Sequence, residues 1–462
     1  MNVHMPKKIN VVILAAGKGT RMCSDLPKVL HKLAGKPLLA HVIDAARQLS
    51  PEKIIVVYGY GGKQVVNNFK GQNDLIWVEQ AEQLGTGHAL QQTLNALDDD
   101  ADTIVMLGDV PLISVSACKQ LIQNTTALGL MTVLKQDPAN YGRIVRNQDK
   151  QVTSIVEFKD ADSKQKEIKE VNTGIMVIHN QNLKKWLGQL SNNNAQGEYY
   201  LTDIIALAVH DGYQINAEIV TDEISVEGVN NKLDLAKLER QFQLRLAQTL
   251  MNHGVTIVDP ARLDVRGELK AGRDVEIDVG CIFEGKVTLA DNVKIGAYSI
   301  IKDSQIGAGT QIYPNCQISD STIGEQCHIG PFARIRPNTK LDAEVHIGNF
   351  VELKNTHVKK GSKANHLSYL GDADIGAEVN IGAGTITCNY DGANKHRTVI
   401  EDGAFIGSDT QLVAPVTIGK NATIAAGSTI TKDAPANQLT VCRAKQQMSI
   451  SGWKKPVKKA KE

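Results

Sequence analysis

The chain has 462 residues and a mass of 50.1 kDa, which is too long for one compact core and predicts two or three domains. Its 51 basic and 50 acidic residues give a formal net charge of +1, so no overall electrostatic field would recruit nucleic acid or a membrane. Aromatic residues make up only 4% of the chain, and this scarcity argues against a base-stacking surface for nucleic acid.

Residues 1–229 alternate short aliphatic runs with amphipathic stretches, most clearly from residue 8 onward. This alternation predicts an α/β, Rossmann-like domain with a largely parallel sheet covered by helices. The predicted strands are Ile9–Leu14, Lys53–Tyr58, Thr103–Leu107 and Leu130–Leu134, and the predicted helices are His41–Leu49, His88–Leu97 and Ser116–Gln123.

A glycine-rich loop follows the first predicted strand and reads Leu14-Ala15-Ala16-Gly17-Lys18-Gly19-Thr20-Arg21-Met22, with Pro27-Lys28 a turn later. Glycines allow backbone N–H groups to approach phosphate oxygens, so the loop is a candidate phosphate site, and an ordinary structural turn is the alternative. It is not a dinucleotide fingerprint, which needs glycine in place of Met22, nor a Walker A loop. The nearby Arg21 and Lys28 favour a triphosphate ligand.

Residues 230–254 predict a single linking helix. Leucines and one phenylalanine recur at helical spacing between charged residues, and Gly254 is a plausible C-terminal stop. The apolar positions are Leu235, Leu238, Phe242, Leu246 and Leu250.

From residue 255 the aliphatic period becomes six, as in the uninterrupted series from Ile323 to Leu353 and from Ile400 to Ile430. One inward aliphatic residue per face predicts a left-handed parallel β-helix of hexapeptide repeats over residues 255–462. At 18 residues a coil, Val265 to Ile430 corresponds to about nine coils.

The six-residue repeat breaks at His357–Leu370 and again at Cys388–Val399, and long excursions from a solenoid often carry function. His366 lies in the first break, where a surface or stacking histidine is the alternative to a catalytic one. Arg336 and Lys354 are 18 residues apart, so they are expected side by side on adjacent coils, which suits a sugar phosphate.

Seven scattered cysteines without a C-x-x-C pair suggest neither a zinc site nor a disulfide framework. The apolar run Ile9–Ala16 is too short to span a membrane and lacks a signal-peptide cleavage context, so we expect a cytoplasmic protein. A lysine-rich tail is expected to be a solvated end, with an anion clamp as the alternative. Its lysines are Lys454, Lys455, Lys458, Lys459 and Lys461.

The glycine-rich loop with Pro27-Lys28 resembles the signature of sugar-1-phosphate nucleotidyltransferases. Together with further segments along nearly the whole chain, it is similar to the bacterial bifunctional N-acetylglucosamine-1-phosphate uridylyltransferase / glucosamine-1-phosphate acetyltransferase family. These segments are Gln80-Ala81-Glu82-Gln83-Leu84-Gly85-Thr86-Gly87-His88, Tyr141-Gly142-Arg143-Ile144, Glu157, Asn172-Thr173-Gly174 and Glu227-Gly228-Val229-Asn230-Asn231.

The resemblance implies a UTP and UDP-N-acetylglucosamine site, with Mg²⁺ carried by Asp109 and Asn230. Lys28 would meet phosphate, Gln80, Gly85 and Thr86 would read the uracil edge and position the nucleotide, and Gly142, Glu157 and Asn172 would hold the acetamido sugar. The remaining implied residues of this site are Leu14, Ala15, Ala16, Gly17, Leu107 and Gly108. Family members often have Tyr-Gly-Asp where this chain has Leu107-Gly108-Asp109, so any contact of that tyrosine side chain is in doubt.

In the second half, the resemblance implies that His366 is the general base for the amine of glucosamine 1-phosphate. Arg336 and Lys354 would bind the phosphate of that substrate, and Tyr369 and Asn380 would bind its sugar. The implied acetyl-CoA residues are Ala383, Asn389, Tyr390, Ser408, Ala426 and Arg443, with the basic tail near the phosphates.

The leading hypothesis is therefore a two-site enzyme that acetylates glucosamine 1-phosphate and then transfers uridylate from UTP to the product. By resemblance it would form a homotrimer, with the second site between subunits. One alternative is a nucleotidyltransferase whose β-helix is only a trimerisation scaffold, and another is a nucleotide-responsive binding protein.

Overall fold

The structure is a computed structural model that describes residues 7–443, so the lysine-rich tail lies outside the described residues. The chain divides into two compact units between Phe242 and Gln243, within the single helix Lys232–Asn252. None of the helices in residues 7–443 is long and apolar enough to cross a membrane.

The strands of the N-terminal unit are β1 (Ile9–Ala15), β2 (Lys32–Leu33), β3 (Lys36–Pro37), β4 (Lys53–Tyr58), β5 (Leu75–Glu79), β6 (Asp102–Leu107), β7 (Leu128–Leu134), β8 (Arg143–Arg146), β9 (Val152–Val156), β10 (Glu170–His179) and β11 (Asn216–Val220). The helices are α1 (Leu38–Arg47), α2 (Gly62–Asn68), α3 (Thr86–Gln91), α4 (Val115–Asn124), α5 (Ser163–Lys166), α6 (Asn180–Leu187), α7 (Ile204–His210) and the linking α8 (Lys232–Asn252). Short 3₁₀ turns lie at Thr20–Met22, Lys28–Leu30, Leu94–Ala96, Leu201–Asp203 and Glu223–Val226.

The main sheet has the strand order β11-β7-β10-β6-β1-β4-β5, with β8 on β10 and β9 on β8. Strand β1 is parallel to both of its neighbours, as predicted, but β10 is antiparallel to β6 and β7. The sequence analysis missed β10 because polar Asn172, Thr173 and Gly174 interrupt its aliphatic run. The register shifts there between Asn172 and Met176, and Gly174 has a φ of +80°.

Strand β1 is buried on both faces. Val11 and Ile13 pack in a cluster with Val42 of α1, whereas Val12 packs on the opposite face with Trp186 of α6. Each such aliphatic side chain contributes about 1.5–3 kcal/mol on burial. The carboxyl ends of parallel β1 and β6 therefore lie at one sheet edge, where their loops can form a crevice.

The predicted helix His88–Leu97 is shorter in the structure, where α3 ends at Gln91 and a 3₁₀ turn follows. The backbone N–H of Thr93 donates to the Leu90 carbonyl at 3.0 Å, and the Thr93 hydroxyl donates to the same oxygen at 2.7 Å. These bonds tighten the backbone, which is why the helix does not continue to Leu97.

The second unit is a left-handed parallel β-helix. The strands of its first sheet are Thr256–Ile257, Glu276–Ile277, Lys294–Ile295, Gln311–Ile312, His328–Ile329, His346–Asn349, Lys363–His366, Asn380–Ile381, Phe405–Ile406, Thr423–Ile424 and Leu439–Thr440. Those of its second sheet are Asp264–Ala271, Ile282–Leu289, Ile300–Lys302, Gln305–Ile306, Gln317–Ser319, Ser321–Ile323, Arg334–Ile335, Thr339–Leu341, Glu352–Lys354, His357–Val358, Tyr369–Gly371, Ala373–Ile375, Ile386–Cys388, Thr398–Ile400, Gln411–Val413, Val416–Ile418 and Thr429–Ile430.

Val265 and Ile430 are separated by nine coil-to-coil steps of 18, 18, 17, 17, 18, 17, 17, 25 and 18 residues. The prediction of an excursion at His357–Leu370 is wrong, because this segment keeps coil register with steps of 17 residues. One residue fewer per coil breaks the six-residue pattern in sequence without expelling a loop. The excursion at Cys388–Val399 is confirmed, since it accounts for the 25-residue step.

One corner of the β-helix repeats a left-handed backbone conformation on successive coils. Bulky side chains occupy some of these positions, including Phe332 and Phe350 with φ of +57° and Leu367 with φ of +46°. Their side chains point outward, and the rings of Phe332 and Phe350 stack with centroids 5.4 Å apart. All three residues are about half exposed or more, and we refer to them as the corner stripe.

Candidate functional sites

The glycine-rich loop begins where β1 ends at Ala15. Gly19 has a φ of +59°, and a Cβ atom there would lie 2.6 Å from Cβ of Lys28. Only glycine fits this conformation and this close approach without strain. The loop therefore packs directly on the 3₁₀ turn that begins at Lys28.

A cavity of about 510 Å³ opens beside this loop. Ten of the predicted nucleotide residues line it: Leu14, Ala15, Ala16, Gly17, Lys28, Gln80, Gly85, Thr86, Leu107 and Asp109. Its wall also contains residues that the sequence analysis did not select, namely Lys18, Val29, Gln83, Ala89 and Glu198. The volume and the mixed lining are those of a small-molecule site.

Gln80 is buried, with 3% of its surface exposed. Its side-chain nitrogen donates to the Gly85 carbonyl at 3.0 Å and lies 3.2 Å from Nδ1 of His88. Gly85 has a φ of +108°, and a Cβ atom there would lie 2.6 Å from the Tyr199 carbonyl oxygen. Gln80 and Gly85 therefore fix the shape of this wall of the cavity.

A second cavity, of about 260 Å³, shares Leu14, Thr86 and Leu107 with the first. The three residues predicted to hold the sugar, Gly142, Glu157 and Asn172, all line it. The two cavities therefore adjoin, as sites for a nucleotide and for a sugar that react with each other must.

Glu157 is the charged group of the second cavity. Its Oε1 accepts a hydrogen bond of 3.2 Å from the Thr202 hydroxyl. Burial, with a smaller contribution from the charge of Asp203, raises the pKa of Glu157. Asn172 accepts a bond of 3.0 Å from the Gly174 N–H through its side-chain oxygen, which orients its amide.

The two predicted metal ligands lie next to each other. The Val229 N–H donates to the Asp109 carbonyl at 2.9 Å, which brings Asn230 beside the strand-end aspartate. The Asp109 carboxylate forms an ion pair with Lys28, and Oδ1 of Asn230 accepts a bond of 2.9 Å from Arg21. Asn230 itself lines neither cavity.

A carboxylate and an amide oxygen, each already facing a cation, form an oxygen donor set that fits Mg²⁺. Within residues 7–443 no group of three or more His, Cys, Asp or Glu residues could hold a metal. This agrees with an ion that takes few protein ligands and completes its shell with water and phosphate.

Gly108 and Leu107 support the crevice in different ways. The Gly108 N–H donates to the Leu14 carbonyl at 2.9 Å, so it joins the ends of β1 and β6 rather than lining a cavity. Leu107 lines both cavities and packs on Gly174, where a Cβ atom would lie 2.6 Å from the leucine. A leucine thus presents an apolar wall where relatives often have tyrosine.

In the second unit, His366 ends the strand Lys363–His366 and is paired in register with Asn349. Nδ1 of His366 lies 3.1 Å from Oδ1 of Asn349. Leu367 then turns the corner, and Tyr369 begins the next strand. His366 and Tyr369 thus flank the same corner of the β-helix.

Arg336 and Lys354 lie on adjacent coils, because the pairs Arg334 with Glu352 and Ile335 with Leu353 are in register. Arg336 donates to Glu352 at 2.7 Å. The ammonium of Lys395, then burial and Arg336, lower the pKa of Lys354. Three cations therefore converge on the face that bears Tyr369, which is paired in register with Glu352.

Four of the predicted acetyl-CoA residues form a column along the coils. The Asp409 N–H donates to the Ala383 carbonyl at 2.7 Å, and the Gly427 N–H donates to the Ser408 carbonyl at 2.8 Å. Arg443 continues the column, because its guanidinium donates to the Ala426 carbonyl at 3.0 Å. The column thus consists of Ala383, Ser408, Ala426 and Arg443 on successive coils.

Asn389 and Tyr390 lie instead in the excursion, and Asn380 lies on the first sheet. Asn380 is paired in register with Lys363, on the coil that carries His366. Asn389 is buried and bonded to Asp372. Tyr390 is 60% exposed and bridges to Lys395 across the loop.

The sequence analysis missed Lys395, Glu352 and Asn349 in the second unit and Thr202 in the first. Lys395 could have been found, because it is a basic residue within the predicted excursion. The others carry no local signal, since only coil register or the packing of distant segments brings them to the sites.

Comparison with known proteins gives matches to both units. A MobA-like NTP transferase domain model matches residues 11–161, a GMPPB C-terminal domain model matches residues 265–358, and a bacterial transferase hexapeptide model of six repeats matches residues 397–432. Among curated proteins, the chain is 60% identical to the "Bifunctional protein GlmU" of Methylobacillus flagellatus over 99% of each chain. It is 57% identical to the protein of that name from Azoarcus sp., over 97% of this chain and all of the relative. The corresponding protein of Ralstonia nicotianae is 56% identical over 98% of this chain and all of the relative.

Proposed function

This chain belongs to the family of bifunctional GlmU proteins, and on that premise we propose how its residues divide the chemistry. The protein is a bifunctional enzyme of UDP-N-acetylglucosamine biosynthesis. It transfers acetyl from acetyl-CoA to glucosamine 1-phosphate, and it transfers uridylyl from UTP to N-acetylglucosamine 1-phosphate with release of pyrophosphate. A β-helix that serves only as a scaffold is not favoured, because the relatives that match the full chain are named bifunctional.

We assign uridylyl transfer to residues 1–229 and acetyl transfer to residues 255–462, joined by a linker at 230–254. The observation that carries this proposal is the coexistence in one chain of two kinds of site. One is a cavity of about 510 Å³ that ten predicted nucleotide residues line. The other is the β-helix corner of His366, with Arg336 and Lys354 on the adjoining face.

In uridylyl transfer, a phosphate oxygen of N-acetylglucosamine 1-phosphate attacks the α-phosphorus of UTP, and the bond to pyrophosphate breaks. This reaction needs alignment and charge neutralisation rather than a covalent protein intermediate. Lys28 provides a cation at the cavity wall, Gln80, Gly85 and Thr86 position the nucleotide, and the second cavity with Glu157 holds the sugar.

The family's metal dependence is assigned to Mg²⁺ held by Asp109 and Asn230. The bound ion would neutralise charge on the triphosphate. Against the Asp109 carboxylate it would replace the ammonium of Lys28, which now forms an ion pair there. Lys28 would then be released to bind phosphate. The hydrogen bond of 2.9 Å from Arg21 to Asn230 would be exchanged in the same way.

In acetyl transfer, His366 takes a proton from the amine of glucosamine 1-phosphate. The nitrogen attacks the thioester carbonyl of acetyl-CoA, and the carbon–sulfur bond breaks to release coenzyme A. Arg336 and Lys354 bind the phosphate, and Tyr369 and Asn380 bind the sugar. Acetyl-CoA lies along the column of Ala383, Ser408, Ala426 and Arg443, next to Asn389 and Tyr390.

Oligomerisation is assigned to a homotrimer. The corner stripe supports it, because exposed large apolar side chains at strained backbone positions need a protein surface to cover them. The stripe adjoins His366 through Leu367, so a second copy seated there would contribute to the acetyl-transfer site. The location is proposed to be the cytoplasm, where UTP and acetyl-CoA are supplied; all seven cysteines are free, as a reducing compartment requires.

An activity panel on the purified chain tests the whole proposal. Glucosamine 1-phosphate and N-acetylglucosamine 1-phosphate are each incubated with acetyl-CoA, UTP and Mg²⁺ present or omitted. We expect coenzyme A only from glucosamine 1-phosphate with acetyl-CoA, and pyrophosphate from N-acetylglucosamine 1-phosphate with UTP and Mg²⁺. Pyrophosphate release without any acetyl transfer would restore the scaffold hypothesis, and absence of both products would favour a binding protein.

A further inference from the structure

Asp372 is a buried carboxylate at a corner of the β-helix, and no role has been assigned to it above. Only 8% of its surface is exposed. Its backbone is left-handed, with φ of +50°, which aspartate and asparagine tolerate better than most residues. Asp320 occupies the same corner three coils earlier with a similar φ of +46°, but it is exposed.

The Asp372 carboxylate is held by amide groups on both sides. Asn355, from the preceding coil, donates to Oδ1 at 2.6 Å. Asn389, at the start of the excursion, donates to Oδ2. The ammonium of Lys395 lies 4.0 Å from the same oxygen. Such charge-assisted bonds are stronger than neutral ones, and a buried carboxylate needs them.

The backbone of Asp372 also fixes the other end of the excursion. Its carbonyl accepts a bond of 3.1 Å from the N–H of Thr398, where the chain rejoins the coil. Its own N–H donates to the Lys354 carbonyl at 2.9 Å. One residue therefore connects the start of the loop, its end and the strand of Lys354.

We propose that Asp372 is a positioning residue for acetyl transfer, which anchors the excursion 388–399 so that Lys395 joins Arg336 and Lys354 around the phosphate of the substrate. This inference rests on the proposed acetyl-transfer site. Three neighbouring cations repel one another, so Lys395 needs a fixed negative charge to stay beside Lys354 before the phosphate arrives. Asp372 supplies that charge without touching the substrate.

The test is Asp372→Asn, which keeps the shape but removes the charge and turns one acceptor into a donor. We expect kcat/KM for glucosamine 1-phosphate to fall about 10- to 100-fold, as for loss of a charged hydrogen bond, mainly through a higher KM. Asp320→Asn is the matched control at the same corner and should leave both parameters unchanged. A wild-type KM in Asp372→Asn would overturn the proposal.

A double-mutant cycle separates positioning from general stability. If Asp372 acts by placing Lys395, then Asp372→Asn should change the KM of a Lys395→Ala enzyme little. An undiminished effect in that background would contradict the proposed route. If Asp372→Asn fails to fold, Asn355→Ala removes a single bond of the carboxylate, and a smaller KM rise in the same direction is expected; an unchanged KM would refute the anchor.

Hydrogen exchange gives a readout that does not need acetyl transfer. Amides of residues 388–399 should exchange faster in Asp372→Asn than in the unaltered protein, whereas the flanking strands should not change. Absence of acetyl transfer in the unaltered chain would refute the proposed function alone. Unchanged exchange in the loop would refute the anchoring role of Asp372, whatever the activity.

Discussion

The side-chain oxygen of Asn349 lies 3.1 Å from Nδ1 of His366, and the two residues are register partners on adjacent coils. An amide oxygen can only accept a hydrogen bond, so the proton of the neutral imidazole is on Nδ1. Nε2 then carries the free lone pair that a general base requires. The parallel register of the β-helix thus sets the tautomer of the proposed base.

Asn349→Ala should lower kcat of acetyl transfer about tenfold, because the ring loses the partner that fixes its tautomer and orientation. The KM for acetyl-CoA should change little. Steady-state kinetics measure both parameters, and uridylyl transfer by the same protein is the internal control. An unchanged kcat would show that Asn349 does not orient His366.

His366→Ala should abolish acetyl transfer and leave uridylyl transfer largely intact. The reason is that the two reactions are assigned to different units and share no residue. Release of coenzyme A and of pyrophosphate are measured on one preparation. Loss of both activities in a folded variant would refute the two-site assignment.

Asp109→Asn should reduce uridylyl transfer at least about 100-fold, since it removes the one carboxylate proposed to hold the metal and leaves two neutral oxygens. Pyrophosphate release across a Mg²⁺ titration measures the effect. Acetyl transfer should stay at the level of the unaltered protein. Asp100→Asn, which removes a surface partner of Lys8, is the matched control and should not affect either reaction.

Glu157→Gln should change the pH dependence of stability. Burial raises the pKa of Glu157, so its contribution to the free energy of unfolding is greatest below the ordinary glutamate pKa of about 4.3. That contribution falls as pH rises through this value toward the raised pKa. Glutamine carries no charge, so the variant should gain stability relative to the unaltered protein between about pH 4 and about pH 7. Denaturant titrations at both pH values measure this difference, and a pH-independent difference would contradict the assigned cause.

Replacing Phe332 and Phe350 together with serine should convert the trimer to smaller species and lower acetyl transfer. The two rings expose 49% and 55% of their surfaces in the chain, and hydrophilic replacements remove the apolar contact that a second copy would cover. Light scattering after size-exclusion chromatography measures the mass. Val258→Ser, an apolar residue that is 67% exposed near the start of the β-helix, is the control. An unchanged mass would remove the stripe from the interface.

Periodicity predicted the fold well where one residue type repeats. Ile323 to Leu353 and Ile400 to Ile430 are all inward and buried, because each face of a coil must bury one aliphatic residue. The shorter coils around His357–Leu370 were misread, since a one-residue deletion looks the same in sequence as the start of a loop. Strand β10 was missed because its polar middle, at Asn172 and Gly174, serves the sugar cavity rather than the sheet.

The candidate sites were predictable to the extent that motifs are contiguous. The loop from Leu14 to Gly17 and the segment from Gln80 to Thr86 line one cavity, as their motifs predicted. Thr202, Glu352 and Asn349 could not be found, because their roles depend on partners 16 to 45 positions away. Lys395 is intermediate, since its excursion was predicted but its orientation toward Lys354 was not.

The 25-residue coil has a consequence for how this enzyme can vary. The added residues leave and rejoin the β-helix at neighbouring positions, and the strands on either side stay paired, Ala373 with Thr398 and Ile386 with Gln411. Local opening of residues 388–399 would therefore cost only the contacts of the loop itself, while the aliphatic stack remains closed. Substitutions, insertions or transient unfolding in this loop can thus retune acyl-group chemistry without being tied to the global stability of the solenoid.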